Sequence, residues 1–168
     1  MCGILALFHS QENIKENYQN GKLLKFRNKI LELSKRMRHR GPDWNGLYLD
    51  IQDNHVACLA HERLAIIDVV SGSQPIISQD GNLVLSVNGE IYNHNELRAK
   101  TQDIYHYQSQ SDCEPILGIY QQWKNNKTNL DISSVINSLD GIYSFVLYDK
   151  TDNSFLVARD PIGVNPLY

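Results

Sequence analysis

The chain begins with a cysteine directly after its first methionine, in the segment MCGILALF. A buried cysteine beside a buried strand from Ile4 to Phe8 would be ordinary, because cysteine is among the residue types most often buried. The alternative is chemical. If Met1 is removed, the thiol and the α-amino group belong to one residue, and an α-amine is partly unprotonated near neutral pH. Cys2 would then carry both a nucleophile and a base.

Two further clusters have residue types that could act on a small polar substrate. Arg63 begins the apolar run RLAIID, where it could form a surface ion pair with Glu62 or Asp68 or bind a substrate carboxylate through two parallel hydrogen bonds. Asn88 and Gly89 end the strand-like run LVLSVNG. Asn-Gly is typical of a turn, but the Asn side-chain amide and the Gly backbone N–H could also form an oxyanion hole.

Acidic residues and a basic loop complete the set. Glu90 follows the Asn-Gly pair and could hold an ammonium group. Asp112 lies in the segment SDCE before a helix, where an acid is favoured by the helix dipole in any case. The segment RHRGPD is typical of a basic loop with a tight turn, because glycine and proline both interrupt a helix.

The elements that must position these residues include both helices and strands. Apolar residues at spacings of three and four predict an amphipathic helix from Leu23 to Met37. The runs LYLDI, HVACLA, RLAIID and LVLSVNG predict a sheet-rich middle of the chain. Ser111 and Glu114 have the spacing of a capping box, followed by a helix with Pro115 in its first turn.

A hairpin is predicted near the end of the chain, where GIYSFVLYD and SFLVARD flank the turn KTDN. Alternation predicts that Phe145, Leu147, Phe155 and Val157 keep one face in the core. The second strand of this hairpin is expected to lack a neighbour, which favours self-association through its open edge.

The composition limits the classes of function. The chain has 168 residues, of which 42% are hydrophobic and 21% charged, and a formal net charge of −3. Basic and acidic residues are mixed along the sequence, so it contains no basic patch of the kind that would bind nucleic acid or a membrane surface. The three cysteines are widely spaced and do not predict a metal site, and their odd number favours a reducing, cytoplasmic location.

Eight segments together point to a family. MCGI, RHRGPDW, AHERLAIID, QPI, VNGEIYNH, SDCE, GIYSFVLYD and ARDPIGVNPLY follow one another along nearly the whole chain. In these segments the chain resembles the N-terminal glutaminase domain of glutamine-hydrolysing asparagine synthetases, which are class II glutamine amidotransferases. The resemblance assigns residues 1–168 to one such domain. It implies an α+β fold, the N-terminal nucleophile αββα sandwich of two antiparallel sheets between helices, truncated at its C-terminal end because the family's domain continues past PLY.

The resemblance also implies a role for each candidate residue. Cys2 would be the nucleophile, with its own freed amine as the general base. Asn88 and Gly89 would stabilise the oxyanion. The glutamine-binding residues would be Arg63 for the α-carboxylate, Glu90 and Asp112 for the α-ammonium, and the backbone near Ile66 and Ile67 as pocket lining.

The activity that the resemblance implies is hydrolysis of glutamine to glutamate and ammonia through a γ-glutamyl thioester on Cys2. No cofactor or metal is expected in this chain. The ammonia would pass to a C-terminal synthetase domain, a ligase that uses ATP and magnesium to activate aspartate for asparagine synthesis. The sequence leaves open a catalytically silent fragment, a glutamine-binding module, and the glutaminase domain of another asparagine-synthetase-like amidotransferase.

Overall fold

A computed structural model of the chain describes residues 1–12, 14–18, 21–65, 73–126 and 131–168. It has the expected α+β composition, with two antiparallel sheets and several helices. The elements in chain order are β1 (Gly3–Ser10), α1 (Ile14–Asn17), α2 (Lys22–Lys35), β2 (Trp44–Ile51), β3 (His55–Arg63), β4 (Ile76–Ile77), β5 (Leu83–Ile91), α3 (His94–Thr101), α4 (Pro115–Asn126), α5 (Ser133–Asn137), β6 (Gly141–Asp149) and β7 (Ser154–Arg159). They divide into two compact units, Met1–Ala65 and Ile66–Tyr168.

The first unit is built on a three-stranded sheet in the order β1-β3-β2. The middle strand, β3, pairs antiparallel with both neighbours and is buried along nearly its whole length. The predicted strand from Ile4 to Phe8 forms, but its residues are only half-buried. The expectation of a fully buried strand is wrong because, in the described residues, β1 lies at an edge of this sheet and β3 is the strand with neighbours on both sides.

Helix α2 covers this sheet through the apolar stripe that the sequence predicts. Its Ile30 is buried and packs with Cys58 and Ala60 of β3, and Phe26 lies at the border of the same cluster. Leu23, at the start of the helix, remains 41% exposed. Burial raises the pKa of the Cys58 thiol to about 12, so Cys58 is an inert core residue.

The second unit is built on a four-stranded antiparallel sheet in the order β4-β5-β6-β7. Its two central strands provide one face of a hydrophobic core, which α3, α4 and α5 cover. Buried members of this core include Leu85, Val87, Leu97, Leu117, Phe145 and Leu147. The hairpin predicted near the end of the chain is confirmed as β6 and β7.

The second strand of that hairpin turns a different face to the core from the one predicted. Phe145 pairs with Ala158 and Leu147 pairs with Leu156, so Leu156 and Ala158 join the core. Phe155 and Val157 are 54% and 42% exposed. The prediction is wrong because the four-residue turn sets the register, and a shift of one residue exchanges the two faces of a strand. As expected, β7 lies at an edge of the sheet in the part of the chain that the structure describes.

The capping box expected before α4 does not form. The Ser111 hydroxyl accepts a hydrogen bond from the Cys113 backbone N–H, and the Glu114 carboxylate binds the backbone N–H groups of Gln108 and Ser109. Glu114 therefore holds the preceding loop and not the end of the helix. Pro115 is the first residue of α4, as predicted.

We found no helix in the described ranges with the length and apolar character needed to cross a membrane.

Candidate active site

The Cys2 thiol lies against the backbone that follows β3. Its Sγ accepts a hydrogen bond from the Leu64 N–H at 3.4 Å and lies 3.8 Å from the Leu64 carbonyl oxygen. The β1–β3 ladder explains this contact, because its last pair joins Gly3 to Glu62 and the next residues beyond these two strands are Cys2 and Arg63. The structure thus brings the predicted nucleophile and the predicted carboxylate-binding residue together within the first unit.

Arg63 is buried and is the last residue of β3. The expectation that Arg63 begins a strand is wrong, because the extended run HVACLAHER ends at this residue. The rest of the predicted apolar run, from Ile66 onwards, lies outside the described residues. Its neighbour Glu62 accepts a hydrogen bond from the Ser34 hydroxyl at 2.7 Å and lies 4.0 Å from the Arg38 guanidinium. A guanidinium at a strand end can bind a planar carboxylate through two parallel hydrogen bonds.

The charge of Arg63 affects a buried histidine in the same strand. Burial, and then the positive charge of Arg63, lower the pKa of His61 to about 3. His61 is fully buried. It is therefore neutral at physiological pH and adds no second positive charge beside the guanidinium.

The RHRGPD loop holds the backbone on both sides of the thiol. The Arg40 Nε donates to the Cys2 carbonyl oxygen at 3.0 Å. The Asp43 N–H donates to the Arg63 carbonyl at 3.1 Å, and the Asp43 carboxylate accepts from the Ala65 N–H at 2.9 Å. The sequence analysis assigns this loop no role beyond a basic turn. Arg40 and Asp43 are candidate site residues that the sequence analysis missed. The RHRGPD motif, which contains both, was the signal that could have identified them.

Gly41 lets the same loop pack directly on β3. A Cβ at this position would lie 2.2 Å from the Glu62 carbonyl oxygen and 2.6 Å from the Arg63 carbonyl carbon. Both distances are shorter than any ordinary contact, so every other residue type would displace the backbone beside Arg63.

In the second unit, Asn88 and Gly89 lie within β5 and not in a turn. Asn88 pairs with Ser144 and Gly89 pairs with Tyr143. The Tyr143 carbonyl accepts from the Asp160 N–H, and the Tyr143 N–H donates to the Asp160 carboxylate. Because both main-chain groups of Tyr143 point away from β5, its partner Gly89 belongs to a non-hydrogen-bonded pair, and the Gly89 N–H points away from β6.

On the side of β5 that faces away from β6, the described partners of Val84, Leu85 and Val87 are strand β4 and the side chain of Gln74. Strand β4 pairs with Val84 and Leu85. The side-chain amide of Gln74 then accepts a hydrogen bond from the Val87 N–H at 2.9 Å and donates one to the Val87 carbonyl at 3.0 Å. Gly89 is the next residue with this orientation. A Cβ on Gly89 would lie 2.0 Å from the Ile142 carbonyl oxygen, so only glycine fits here.

The two predicted ammonium-binding carboxylates lie near the end of β5. Glu90 is exposed, and Asp112 is buried with its Oδ2 accepting the Ile91 N–H at 2.9 Å. This hydrogen bond connects the SDCE segment to the residue after Glu90. The predicted lining residues Ile66 and Ile67 lie outside the described residues.

A loop after β7 contacts the main chain of Asn88 from the opposite side. The Asp160 Oδ1 accepts the N–H groups of Ile162, Gly163 and Val164 at 2.7 to 3.2 Å. Burial by itself would raise the pKa of Asp160, but these and other backbone hydrogen bonds outweigh it and lower the pKa. The loop ends at Asn165, whose Nδ2 donates to the Asn88 carbonyl at 2.9 Å.

Across the described ranges, we found no group of three or more His, Cys, Asp or Glu side chains that could hold a metal ion.

Comparison with known proteins identifies the family of this chain. A family model described as a glutamine amidotransferase domain matches residues 1–168. The chain belongs to the glutamine amidotransferase domain family. It is 46% identical over 168 residues to glutamine-hydrolysing asparagine synthetase 1 of Arabidopsis thaliana, with all of this chain and 25% of that protein covered. It is 44% identical over 168 residues to glutamine-hydrolysing asparagine synthetase B of Escherichia coli, with all of this chain and 26% of that protein covered.

A solved structure supports the fold of this glutamine amidotransferase domain. The allosteric regulatory enzyme of purine biosynthesis aligns with a TM-score of 0.51 at 19% identity, covering 95% of this chain and 32% of that one. This likeness shows the fold, and the predicted N-terminal nucleophile fold is confirmed. The chain spans about a quarter of the length of the asparagine synthetases that it matches.

Proposed function

We propose that this amidotransferase domain hydrolyses glutamine to glutamate and ammonia through a γ-glutamyl thioester on Cys2. The observation that carries the proposal is the contact between the Cys2 Sγ and the Leu64 backbone beside Arg63. It supports a nucleophile and a carboxylate-binding guanidinium on adjacent strands. We also propose that residues 1–168 act as a single glutaminase domain.

In the first step, the Cys2 Sγ attacks the side-chain carbonyl carbon of glutamine. The Cys2 α-amine takes the thiol proton and then gives it to the departing nitrogen, so the carbon–nitrogen bond breaks and ammonia leaves. Water then attacks the thioester, and glutamate is released with the thiol restored. The amine can do this only after removal of Met1, since the residue before Cys2 otherwise holds its nitrogen in an amide.

Residues of the second unit would serve the charges of the same reaction. The outward-facing Gly89 N–H supports its role as an oxyanion donor, with the Asn88 side-chain amide as the second donor. Glu90 and Asp112 would bind the α-ammonium group, and Arg63 the α-carboxylate. Ile66 and Ile67 would line the pocket. A zwitterionic amino acid needs both kinds of partner.

For the longer protein, we propose the activity named for its relatives. The ammonia would be used by a C-terminal synthetase domain that needs ATP and magnesium and makes asparagine from aspartate. The names of the matched relatives do not favour a silent fragment, a glutamine-binding module or a different acceptor. Three widely spaced cysteines agree with a cytoplasmic location for this protein.

Ammonia release from glutamine by the purified chain tests the proposal. We expect release by the wild-type chain, none by Cys2→Ala or Cys2→Ser, and unchanged release by Cys113→Ala. An inserted alanine between Met1 and Cys2 should abolish release, because the base is then blocked. Hydrolysis that persists in Cys2→Ala would contradict the thioester mechanism, and glutamine binding without any hydrolysis by the mature wild-type chain would favour a binding module.

A further inference from the structure

We propose that Asn165 is a positioning residue for glutamine hydrolysis, which fixes the Asn88–Gly89 peptide so that the Gly89 N–H points at the developing oxyanion. This inference rests on the proposed glutaminase function. Its direct observation is the 2.9 Å hydrogen bond from the Asn165 Nδ2 to the Asn88 carbonyl oxygen. Asn165 is only 3% exposed, so this amide is committed to a buried partner and not to solvent.

The loop before Asn165 is built to hold that amide in place. Asp160 continues the β6–β7 pairing by one step, because it binds both main-chain groups of Tyr143. Its other carboxylate oxygen accepts three consecutive N–H groups, those of Ile162, Gly163 and Val164. The six residues from Asp160 to Asn165 are therefore held to β6 at one end and to Asn88 at the other.

The hydrogen bond from Asn165 to the Asn88 carbonyl also affects the Gly89 N–H, which belongs to the same peptide unit. The peptide unit is planar, so a carbonyl oxygen held on the β6 side fixes the direction of the Gly89 N–H on the opposite side. A carbonyl that accepts an additional hydrogen bond also polarises its peptide, which makes the N–H a stronger donor. Both effects matter most when negative charge develops on the substrate oxygen.

The test separates the rate of the chemical step from substrate binding. In Asn165→Ala we expect kcat for glutamine to fall about tenfold, with KM changed less than about twofold, because the lost bond strengthens a transition-state donor and touches no substrate. Alkylation of Cys2 by iodoacetamide forms no oxyanion, so its rate should stay at the wild-type value. Asn165→Asp keeps the size but replaces the donor with an acceptor, and should lose at least as much kcat.

Asn93 provides a matched control in the same unit. Its side-chain Nδ2 donates to the Ser138 carbonyl at 2.9 Å, which is the same kind of bond away from the Asn88–Gly89 peptide. Asn93→Ala should lower the thermal midpoint and leave kcat unchanged. If Asn93→Ala and Asn165→Ala lower kcat equally, Asn165 has only a structural role and the inference is overturned.

A second readout does not depend on turnover. In ¹⁵N-labelled protein, the amide proton of Gly89 should shift upfield in Asn165→Ala and Asn165→Asp, because its peptide loses polarisation, and should stay in place in Asn93→Ala. An unchanged Gly89 resonance or an unchanged kcat in a folded Asn165 variant overturns the inference while the glutaminase function stands. A wild-type chain that releases no ammonia overturns the proposed function itself, and this inference with it.

Discussion

At the scale of single residues, the two donors proposed to bind glutamine act at different stages of the reaction. Arg63, the last residue of β3, would bind the α-carboxylate equally in the ground state and the transition state. Asn88 would bind an oxygen whose charge develops only in the transition state. The two side chains should therefore affect different kinetic constants.

Exchange of Arg63 for lysine should raise KM for glutamine by more than about tenfold with a smaller effect on kcat, because a lysine cannot reproduce a two-point fork. Glutamine titrations of initial rate measure both constants. A wild-type KM in Arg63→Lys would show that the Arg63 side chain does not bind glutamine.

Exchange of Asn88 for alanine should instead lower kcat by about 100- to 1,000-fold, the usual effect of losing one oxyanion donor. The same titrations provide the measurement. If Asn88→Ala changes only KM, its side chain binds the ground state and the oxyanion role is wrong.

At the scale of elements, the RHRGPD loop and the end of β3 behave as one unit of structure. Arg40 and Asp43 hold the main chain of Cys2, Arg63 and Ala65, and Gly41 allows the close approach. A disturbance of this loop should therefore reach the substrate through the backbone of Arg63.

We expect Gly41→Ala to raise KM for glutamine and to destabilise the fold by about 1–3 kcal/mol, because the added Cβ collides with the β3 backbone. Gly21→Ala is the control. Gly21 has φ +80° and open space around its Cα, so the exchange adds backbone strain of about 1–2 kcal/mol without a collision. If both variants raise KM alike, general destabilisation explains the effect.

The sequence predicted the long elements better than their faces and ends. Helix α2 and the β6–β7 hairpin followed from periodicity, but the exposed positions of Phe155 and Val157 depended on a register that the turn residues do not reveal. Asn88 and Gly89 were placed near a strand end, yet β5 continues to Ile91. Their orientation depends on Tyr143 and Asp160, which are far away along the chain, and local pattern holds no information on such contacts.

The site itself was predicted by motif and not by geometry. Cys2 and Arg63 were singled out by residue type, and the β1–β3 register explains their meeting. The supporting residues Arg40, Asp43 and Asn165 lie inside the RHRGPDW and ARDPIGVNPLY motifs, but the motifs predict no role for them because these side chains bind backbone groups. A sequence pattern does not indicate which carbonyl a side chain will bind.

At the scale of the whole molecule, acid should unfold the protein through the buried His61. Its pKa is lowered to about 3 in the folded chain, from an ordinary value of 6.5, first by burial and then by Arg63. The unfolded chain binds the proton first as the pH falls. The stability contributed by neutral His61 is therefore complete above pH 6.5 and decreases as the pH falls from 6.5 towards 3.

Chemical denaturation at several pH values measures this loss. We expect the free energy of unfolding to decrease by up to about 1.4 kcal/mol per pH unit in that range. His61→Gln should flatten the decrease, whereas His9→Gln, the same exchange at an exposed position, should keep it. An equal slope in wild type and His61→Gln would show that other groups cause the acid sensitivity. Asp160 adds to the loss only when the pH falls towards 3.8, the ordinary pKa of an aspartate in the unfolded chain. Its pKa in the folded chain lies below that value, so the unfolded chain binds the proton first.

The central claim is that Cys2 forms a covalent bond with the γ-glutamyl group. Its most direct test is acid quenching of the wild-type chain during steady-state turnover of glutamine, followed by mass spectrometry of the intact protein and its N-terminal peptide. The account predicts a chain that lacks Met1 and carries one γ-glutamyl group on Cys2, with no such adduct in Cys2→Ala. Turnover of glutamine with an adduct on another residue, or turnover by the Cys2→Ala chain, would contradict it.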